Sequence, residues 1–282
     1  MSGVSGPSAA RANAFSGREP GAERAAAENT GPGRAEPATP PEKVHTTPPR
    51  ADPPLPGLVR ATRAALEELP VEVAPRLLGG VLEVTAVGVT VALRVTEVEA
   101  YHGAGTGELP DPGSHARMGR TARNATMWGE PGHLYVYLSH GIHSCVNVVC
   151  GPDGTAGGVL LRAGEVVEGQ DAAFSRRPAA RSPRDLARGP GRLGDAVGLR
   201  HPVHDGIDAV TGAEHGGAAA RLWLPTSVRD DIASGPRVGV AGVAGTDAFP
   251  WRFWVAGDPT VSAFRWGRGA APVKATRPAV LD

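Results

Sequence analysis

From Val81 to Arg162 the chain is a series of strand-like segments, most of them separated by turns too short to hold a crossover helix. Val81 to Ala86 and Val89 to Glu99 flank a tight turn near Gly88, and His133 to Leu138, Ile142 to Val149 and Gly158 to Arg162 follow. Parallel neighbours need a connection of a dozen or more residues, so these separations predict antiparallel pairing. Helical spacing is confined to two blocks. The first is Leu58 to Leu69, stopped by Pro70, with Val71 to Leu78 closed by Gly79-Gly80; the second is Asp171 to Arg176 and Pro190 to Val197. A short helical turn opens at Asn124 to Trp128. Arg221 to Leu224, Pro236 to Val240, Trp251 to Val255 and Thr260 to Phe264 return to β. Strands that are mostly adjacent, with helices in blocks, predict an α+β fold rather than alternating βαβ units.

The chain has 282 residues. Met1 to Pro56 is rich in Ala, Pro, Gly, Ser, Arg and Glu and nearly free of large apolar side chains. Such a segment cannot offset its ordering entropy by burial and is expected to be a disordered tail. Its glutamates argue against a transit peptide, and no secretory apolar region or bilayer-length apolar run is present. Residues 57–267 are expected to form one domain, with 268–282 a flexible C-terminal tail. The 29 basic and 29 acidic residues cancel, so global charge gives no argument for nucleic acid. Locally, Arg176, Arg177, Arg181, Arg184, Arg188 and Arg192 face only Asp185, and Arg117, Arg120 and Arg123 form a second cluster. Either set is solvated surface or a phosphate contact. Cys145 and Cys150 match no zinc or redox spacing and are expected to be reduced, Cys145 as a small buried hydrophobe.

Between Glu97 and Arg162 lie one carboxylate pair, aromatic rings, histidines, an amide and an arginine, which together suit a polar aromatic ligand. Glu97 and Glu99 share a strand face, and paired acids raise one pKa, as a general base requires. Alternation likewise puts Tyr135 and Tyr137 on one face. Glu99 is alternatively a surface carboxylate at a strand end, and Tyr101 and Tyr137 are alternatively core rings. Arg162 ends an apolar strand, so its charge must be exposed or paired, with Glu99 as the candidate partner. Nine histidines raise the question of metal, yet no His-Glu-x-x-His is present and spaced histidines usually hydrogen-bond. No metal is expected. Gly189-Pro190-Gly191 lacks the third glycine and preceding strand of a phosphate loop, and no Gly-x-Ser-x-Gly elbow exists.

These residues, in order, resemble the alkyladenine (3-methyladenine) DNA glycosylase family. The motifs are Glu97-Val98-Glu99-Ala100-Tyr101, Ser114-His115, Arg120-Thr121-Ala122-Arg123-Asn124 and Gly132-His133-Leu134-Tyr135-Val136-Tyr137. Cys145-Val146-Asn147, Val159-Leu160-Leu161-Arg162-Ala163, Gly189-Pro190 with Leu193, Arg237-Val238-Gly239-Val240 and Trp251-Arg252-Phe253 follow. The resemblance covers about Leu66 to Ser262 and implies a compact α+β domain with a curved, mostly antiparallel sheet and peripheral helices. It also implies a monofunctional, cofactor-free enzyme of base-excision repair, acting as a monomer on duplex DNA that contains an alkylated or deaminated purine. Its expected location is the cytoplasm of a bacterial cell, at the nucleoid, with no membrane partner. By the resemblance, Glu99 activates water, Arg162 orients Glu99, and Tyr101, His115 and Tyr137 clasp an everted base. Asn147 rejects the guanine 2-amino group. The family's stack-filling wedge, usually tyrosine, falls on His140, a departure that predicts weaker or pH-sensitive flipping. The loop from Tyr101 to His115 is also longer than in compact members. A non-catalytic damaged-DNA-binding protein of the same fold is the alternative. An RNA-associated domain, suggested by the wider fold, is disfavoured by the pocket residues.

Overall fold

The antiparallel pairing expected from the short turns is what the chain forms. The structure is a computed structural model that describes residues 51–105 and 109–272. Of the expected tails, residues 1–50 and 273–282 lie outside that range. In chain order the described residues form β1 (Leu58–Arg60), α1 (Pro70–Leu77), β2 (Val81–Ala86), β3 (Val89–His102), β4 (His133–Ser139), β5 (His143–Val149) and β6 (Gly157–Glu168). Then come α2 (Gln170–Arg176), β7 (Ala187–Arg188), α3 (Pro190–Val197), β8 (Ile207–Asp208), β9 (Ala218–Pro225), β10 (Ile232–Gly235) and β11 (Arg252–Val255). One sheet runs β1-β9-β2-β3-β6-β5-β4-β8, with β11 on β3, β10 on β11 and β7 on β6.

β3 is the spine. Its first half pairs with β2 and its second half with β11, so one edge serves two partners, while β6 follows the other edge. Register shifts between Val95, Glu97 and Val98 mark bulges in the β3–β6 ladder, and bulges bend and twist a strand. They fall where β3 leaves β2 and meets β11, which curls the sheet.

Side-chain alternation sorts the two faces. Val98 and Ala100 of β3, Leu134 and Val136 of β4, Val146 and Val148 of β5, and Val159 and Leu161 of β6 enter the main core with Leu193, Ala196 and Val197 of α3 and Val73, Ala74 and Leu77 of α1. The interleaved residues Glu97, Glu99 and Tyr101, Tyr135 and Tyr137, Cys145 and Asn147, and Leu160 and Arg162 therefore project to the opposite face. Helix α1 starts where expected because Pro70 suits the first turn and the Glu72 carboxylate accepts the Leu69 N–H at 3.2 Å.

Four expectations need correction. Leu58 to Leu69 is not a helix: Leu58–Arg60 pairs with β9, and only Ala64–Leu66 makes a 3-10 turn. The unsatisfied edge of β9 offered those backbone groups ladder partners that a marginal short helix could not match. Pro236 to Val240 and Thr260 to Phe264 are irregular, and the strand of that region is Ile232–Gly235. Finally, β3 and β6 outrun their expected ends, so neither Glu99 nor Arg162 ends a strand.

Candidate active site

The face opposite the main core carries a cleft of about 380 Å³. Tyr101, His115, Tyr137 and Asn147 line it, joined by Tyr135, Met127, Arg117, Pro112, Gly113, Val240 and Ala241. The Tyr135 and Tyr137 rings stack at 5.4 Å with 23° between planes, as neighbours on one strand face. His115 stands edge-on to Tyr137 at 4.6 Å and 88°, and its Nδ1 lies 3.3 Å from the Tyr135 hydroxyl. Asn124 fixes the His115 segment from behind, its amide donating to the carbonyls of His115 and Gly119 at 3.0 Å each. Although His115 is exposed, desolvation against the cleft wall, aided by Arg123 and Arg117, lowers its pKa from the ordinary imidazole value. Burial also raises both tyrosine hydroxyls: Tyr137 well up, and Tyr135 to about 12. Asn147 donates through Nδ2 to the Tyr135 carbonyl at 3.0 Å, which locks its orientation across the β4–β5 pair.

Glu99 does not line the cleft. It is fully buried directly behind Tyr101, whose hydroxyl donates to Glu99 Oε2 at 2.8 Å. Arg162 Nη1 lies 3.2 Å from the same oxygen, and the Val238 N–H donates to Oε1 at 2.6 Å. The surface-carboxylate alternative is thereby excluded. Burial pushes the Tyr101 hydroxyl well up, with the Glu99 charge adding to it, so this donor keeps its proton.

The expected Glu97–Glu99 acid pair is replaced by an alternating charge array. Arg162 bridges the two carboxylates, its Nε donating to Glu97 Oε1 at 3.0 Å, and Arg252 Nε donates to the same oxygen at 2.7 Å. Burial alone would raise the Glu97 pKa. The two guanidinium groups and the Ser262 hydrogen bonds outweigh it, and the pKa is lowered. Glu97 is therefore an anchor for Arg162 rather than a raised-pKa base.

Sequence reasoning gave no role to Arg237 or Asp111. Both are fully buried and pair bidentately at 2.8 Å, while Arg237 also donates to the Ala100 and Ala244 carbonyls. The guanidinium lies over the Tyr101 ring at 4.5 Å and over Trp251 at 5.1 Å. Asp111 in turn accepts the His102 and Gly113 N–H groups. The pair thus ties the loop after β3 to the segment that presents Val238 to Glu99. The backbone at 236–240 bonds outside the sheet ladder, the Val238 N–H to Glu99 and the Gly239 N–H to the Arg265 carbonyl. A lone arginine between Pro236 and Val238 carried no periodicity that could have revealed its burial.

His140 lies at the β4–β5 turn, outside the cleft lining. The connection is three residues, 140–142; His140 and Gly141 both have positive φ, 51° and 71°, and the Ile142 N–H donates back to the Ser139 carbonyl at 3.0 Å. The His140 ring is exposed, with Nδ1 3.0 Å from the Ser139 hydroxyl, and Ile142 beside it is 72% exposed. Arg123 reaches the Leu138 carbonyl from the flank of this hairpin at 3.4 Å. In the arginine cluster from Arg176 to Arg192, Arg177 faces Asp195 at 3.8 Å, a partner beyond the stretch considered in the sequence. Cys145 and Cys150 are free and buried. No group of His, Cys, Asp and Glu among the described residues could hold a metal, and no helix among them is long and apolar enough to cross a membrane.

Curated relatives resemble this chain along most of their own length. A protein of Nocardia farcinica named "Putative 3-methyladenine DNA glycosylase" is 50% identical over 223 residues, 76% of this chain and 98% of that protein. Proteins bearing the same name from Streptomyces avermitilis and Leifsonia xyli are each 50% identical, over 194 and 212 residues. Those matches span 69% and 74% of this chain and 86% and 94% of the respective relatives. The family described as Methylpurine-DNA glycosylase (MPG) matches residues 64–259, a range that holds the cleft, Glu99 and Arg162. The chain belongs to the methylpurine-DNA glycosylase family.

Proposed function

We propose that this protein is a monofunctional 3-methyladenine-type DNA glycosylase that everts an alkylated or deaminated purine from duplex DNA and hydrolyses its N-glycosidic bond. The observation that carries this reading is the union of a cleft walled by Tyr101, His115 and Tyr137 with a fully buried carboxylate held at the back of one of those rings. A base within the duplex stack is out of reach of any such carboxylate, so the nucleotide must leave the helix. Electron-rich rings favour the electron-poor rings of damaged purines, and the lowered pKa of His115 favours its neutral form, which adds no repulsion toward a cationic base.

Glu99 is the only partner in this array suited to take a proton from water: Tyr101 and Tyr137 hold theirs, Arg162 holds its own, and Glu97 is committed to two arginines. Water admitted beside the Tyr101 hydroxyl gives its proton to Glu99 and its oxygen to C1′. The C1′–N bond breaks with its electron pair leaving on the base, and the carboxylate stabilises the positive charge that develops on the sugar. Arg162 and the Val238 N–H hold both Glu99 oxygens in place for that step. Asn147, held by the Tyr135 carbonyl, presents its amide to the purine edge and excludes the guanine 2-amino group. His140 fills the vacated stack. The protein acts as a monomer on nucleoid DNA.

The test is a duplex bearing one hypoxanthine or ethenoadenine, incubated with protein and then cleaved with hot alkali. Strand breakage by the wild type and none by Glu99→Gln, with lesion affinity retained, is the expected outcome. Tight lesion binding without breakage by the wild type would instead establish a non-catalytic damage binder. Breakage that survives Glu99→Gln would remove the carboxylate from the mechanism.

A further inference from the structure

The family match ends at residue 259, yet the next residues run directly behind the catalytic array. Ser262 donates its backbone N–H to Glu97 Oε2 at 2.7 Å and its hydroxyl to Glu97 Oε1 at 3.0 Å. Its hydroxyl also lies 3.5 Å from Arg162 Nη2, and its carbonyl accepts from Arg252 Nη2 at 3.2 Å. Farther on, the Gly239 N–H donates to the Arg265 carbonyl at 2.9 Å and the Gly242 N–H to the Arg268 carbonyl at 3.0 Å. Gly267 permits this approach, since a Cβ there would lie 2.0 Å from the Val240 carbonyl oxygen. One segment therefore backs both the Glu97–Arg162 pair and the turn that supplies Val238 to Glu99 and Val240 to the cleft.

We propose that residues 260–268 form a strap that completes the catalytic centre, with Ser262 as a positioning residue for Arg162. This rests on the roles of Glu99 and Arg162 given above. Arg162 is a long side chain shared between two carboxylates on one strand face, and its position depends on how fully each carboxylate is satisfied elsewhere. Arg252 and the two Ser262 donors satisfy Glu97, so Glu97 anchors Arg162 through Nε and leaves Nη1 on Glu99. Removal of the Ser262 hydroxyl frees acceptor capacity on Glu97 and draws the guanidinium toward it, away from Glu99. Charge-assisted hydrogen bonds are strong enough to make that redistribution measurable.

Full-length Ser262→Ala and Ser262→Thr separate positioning from mere folding. Three measurements apply: the single-turnover rate of hypoxanthine release, the affinity for the same duplex, and the hydrogen-exchange rate of the Arg162 Nε–H by NMR. Ser262→Ala is expected to slow release about tenfold, a loss of one charge-assisted bond, with affinity unchanged and the Arg162 Nε–H exchanging faster. Ser262→Thr, which keeps the hydroxyl, restores both. A Ser262→Ala protein with wild-type rate and wild-type Arg162 exchange overturns the proposal, as does a rate loss matched by an equal loss of affinity. A wild type that releases no base refutes the glycosylase reading instead, and the Arg162 resonance then decides the strap alone: unchanged exchange in Ser262→Ala overturns it and faster exchange supports it.

Discussion

His102, the last residue of β3, makes acid stability a direct test of the packing behind the cleft. The side chain is 4% exposed, its ring lies edge-on to Trp251 at 4.6 Å, and its Nε2 has no hydrogen-bond partner. Burial is the main reason its pKa falls from 6.5 to about 4, with Asp111 opposing and Arg237 reinforcing the shift. A base with a depressed folded-state pKa takes up its proton in the unfolded chain first. Its contribution is therefore complete above pH 6.5, is lost progressively as pH falls toward 4, and changes no further below that. A drop of that size corresponds to about 3 kcal/mol at 1.36 kcal/mol per unit. His102→Phe keeps a ring for Trp251, places no polar atom in the unpartnered position and cannot titrate. Urea unfolding at about pH 7 and about pH 4 gives the two stabilities by linear extrapolation. The wild type should lose about 3 kcal/mol more than His102→Phe between these conditions. Equal losses, within about 0.5 kcal/mol, would refute the claim that this imidazole is held neutral by its surroundings.

Arg237→Met leaves Asp111 buried without its counter-charge and should lower the urea-derived stability by about 3–5 kcal/mol, whereas the double variant with Asp111→Leu should recover part of that loss. If the single and double variants are equally unstable, the two residues do not act as a pair. His140→Tyr should bind a lesion-bearing duplex more tightly than wild type in fluorescence anisotropy, since a larger ring fills the vacated stack better. Weaker binding would show that another group, of which Ile142 is the exposed neighbour, occupies the gap. Arg120→Ser should weaken binding to damaged and undamaged duplex alike and reduce the salt dependence by about one phosphate contact. A loss confined to damaged DNA would place Arg120 at the lesion instead.

Much of this architecture was legible because it depends on period-two alternation and on short turns, both local properties of the chain. Those two patterns put Glu97 with Glu99 and Tyr135 with Tyr137, and the sheet then brought both pairs to one face. What alternation could not show was the third dimension of the charge array. Glu97 and Glu99 look like repelling neighbours until Arg162 from β6 is placed between them and Arg252 from β11 beside them. Arg237 and Asp111 stand 126 residues apart in irregular segments, and contacts of that kind leave no period to read. The helix expected at Leu58 to Leu69 failed for a related reason: its apolar spacing was genuine, but a distant strand edge competed for the same backbone groups. Ser262 was counted within the resemblance and given no task, because a serine in a loop declares its partner only when the fold closes.

The interleaving of core and cleft residues along β3 to β6 has a consequence for how variation can accumulate. Val98 and Ala100 enter the core while Glu97, Glu99 and Tyr101 face the proposed catalytic site, so on that proposal point changes can adjust melting temperature and lesion choice almost separately. A single-residue insertion or deletion within these strands has no such latitude. It would invert the pleat, thrusting carboxylates into oil and valines into the cleft, and both properties would vanish together. Length changes should therefore be confined to the connections between strands.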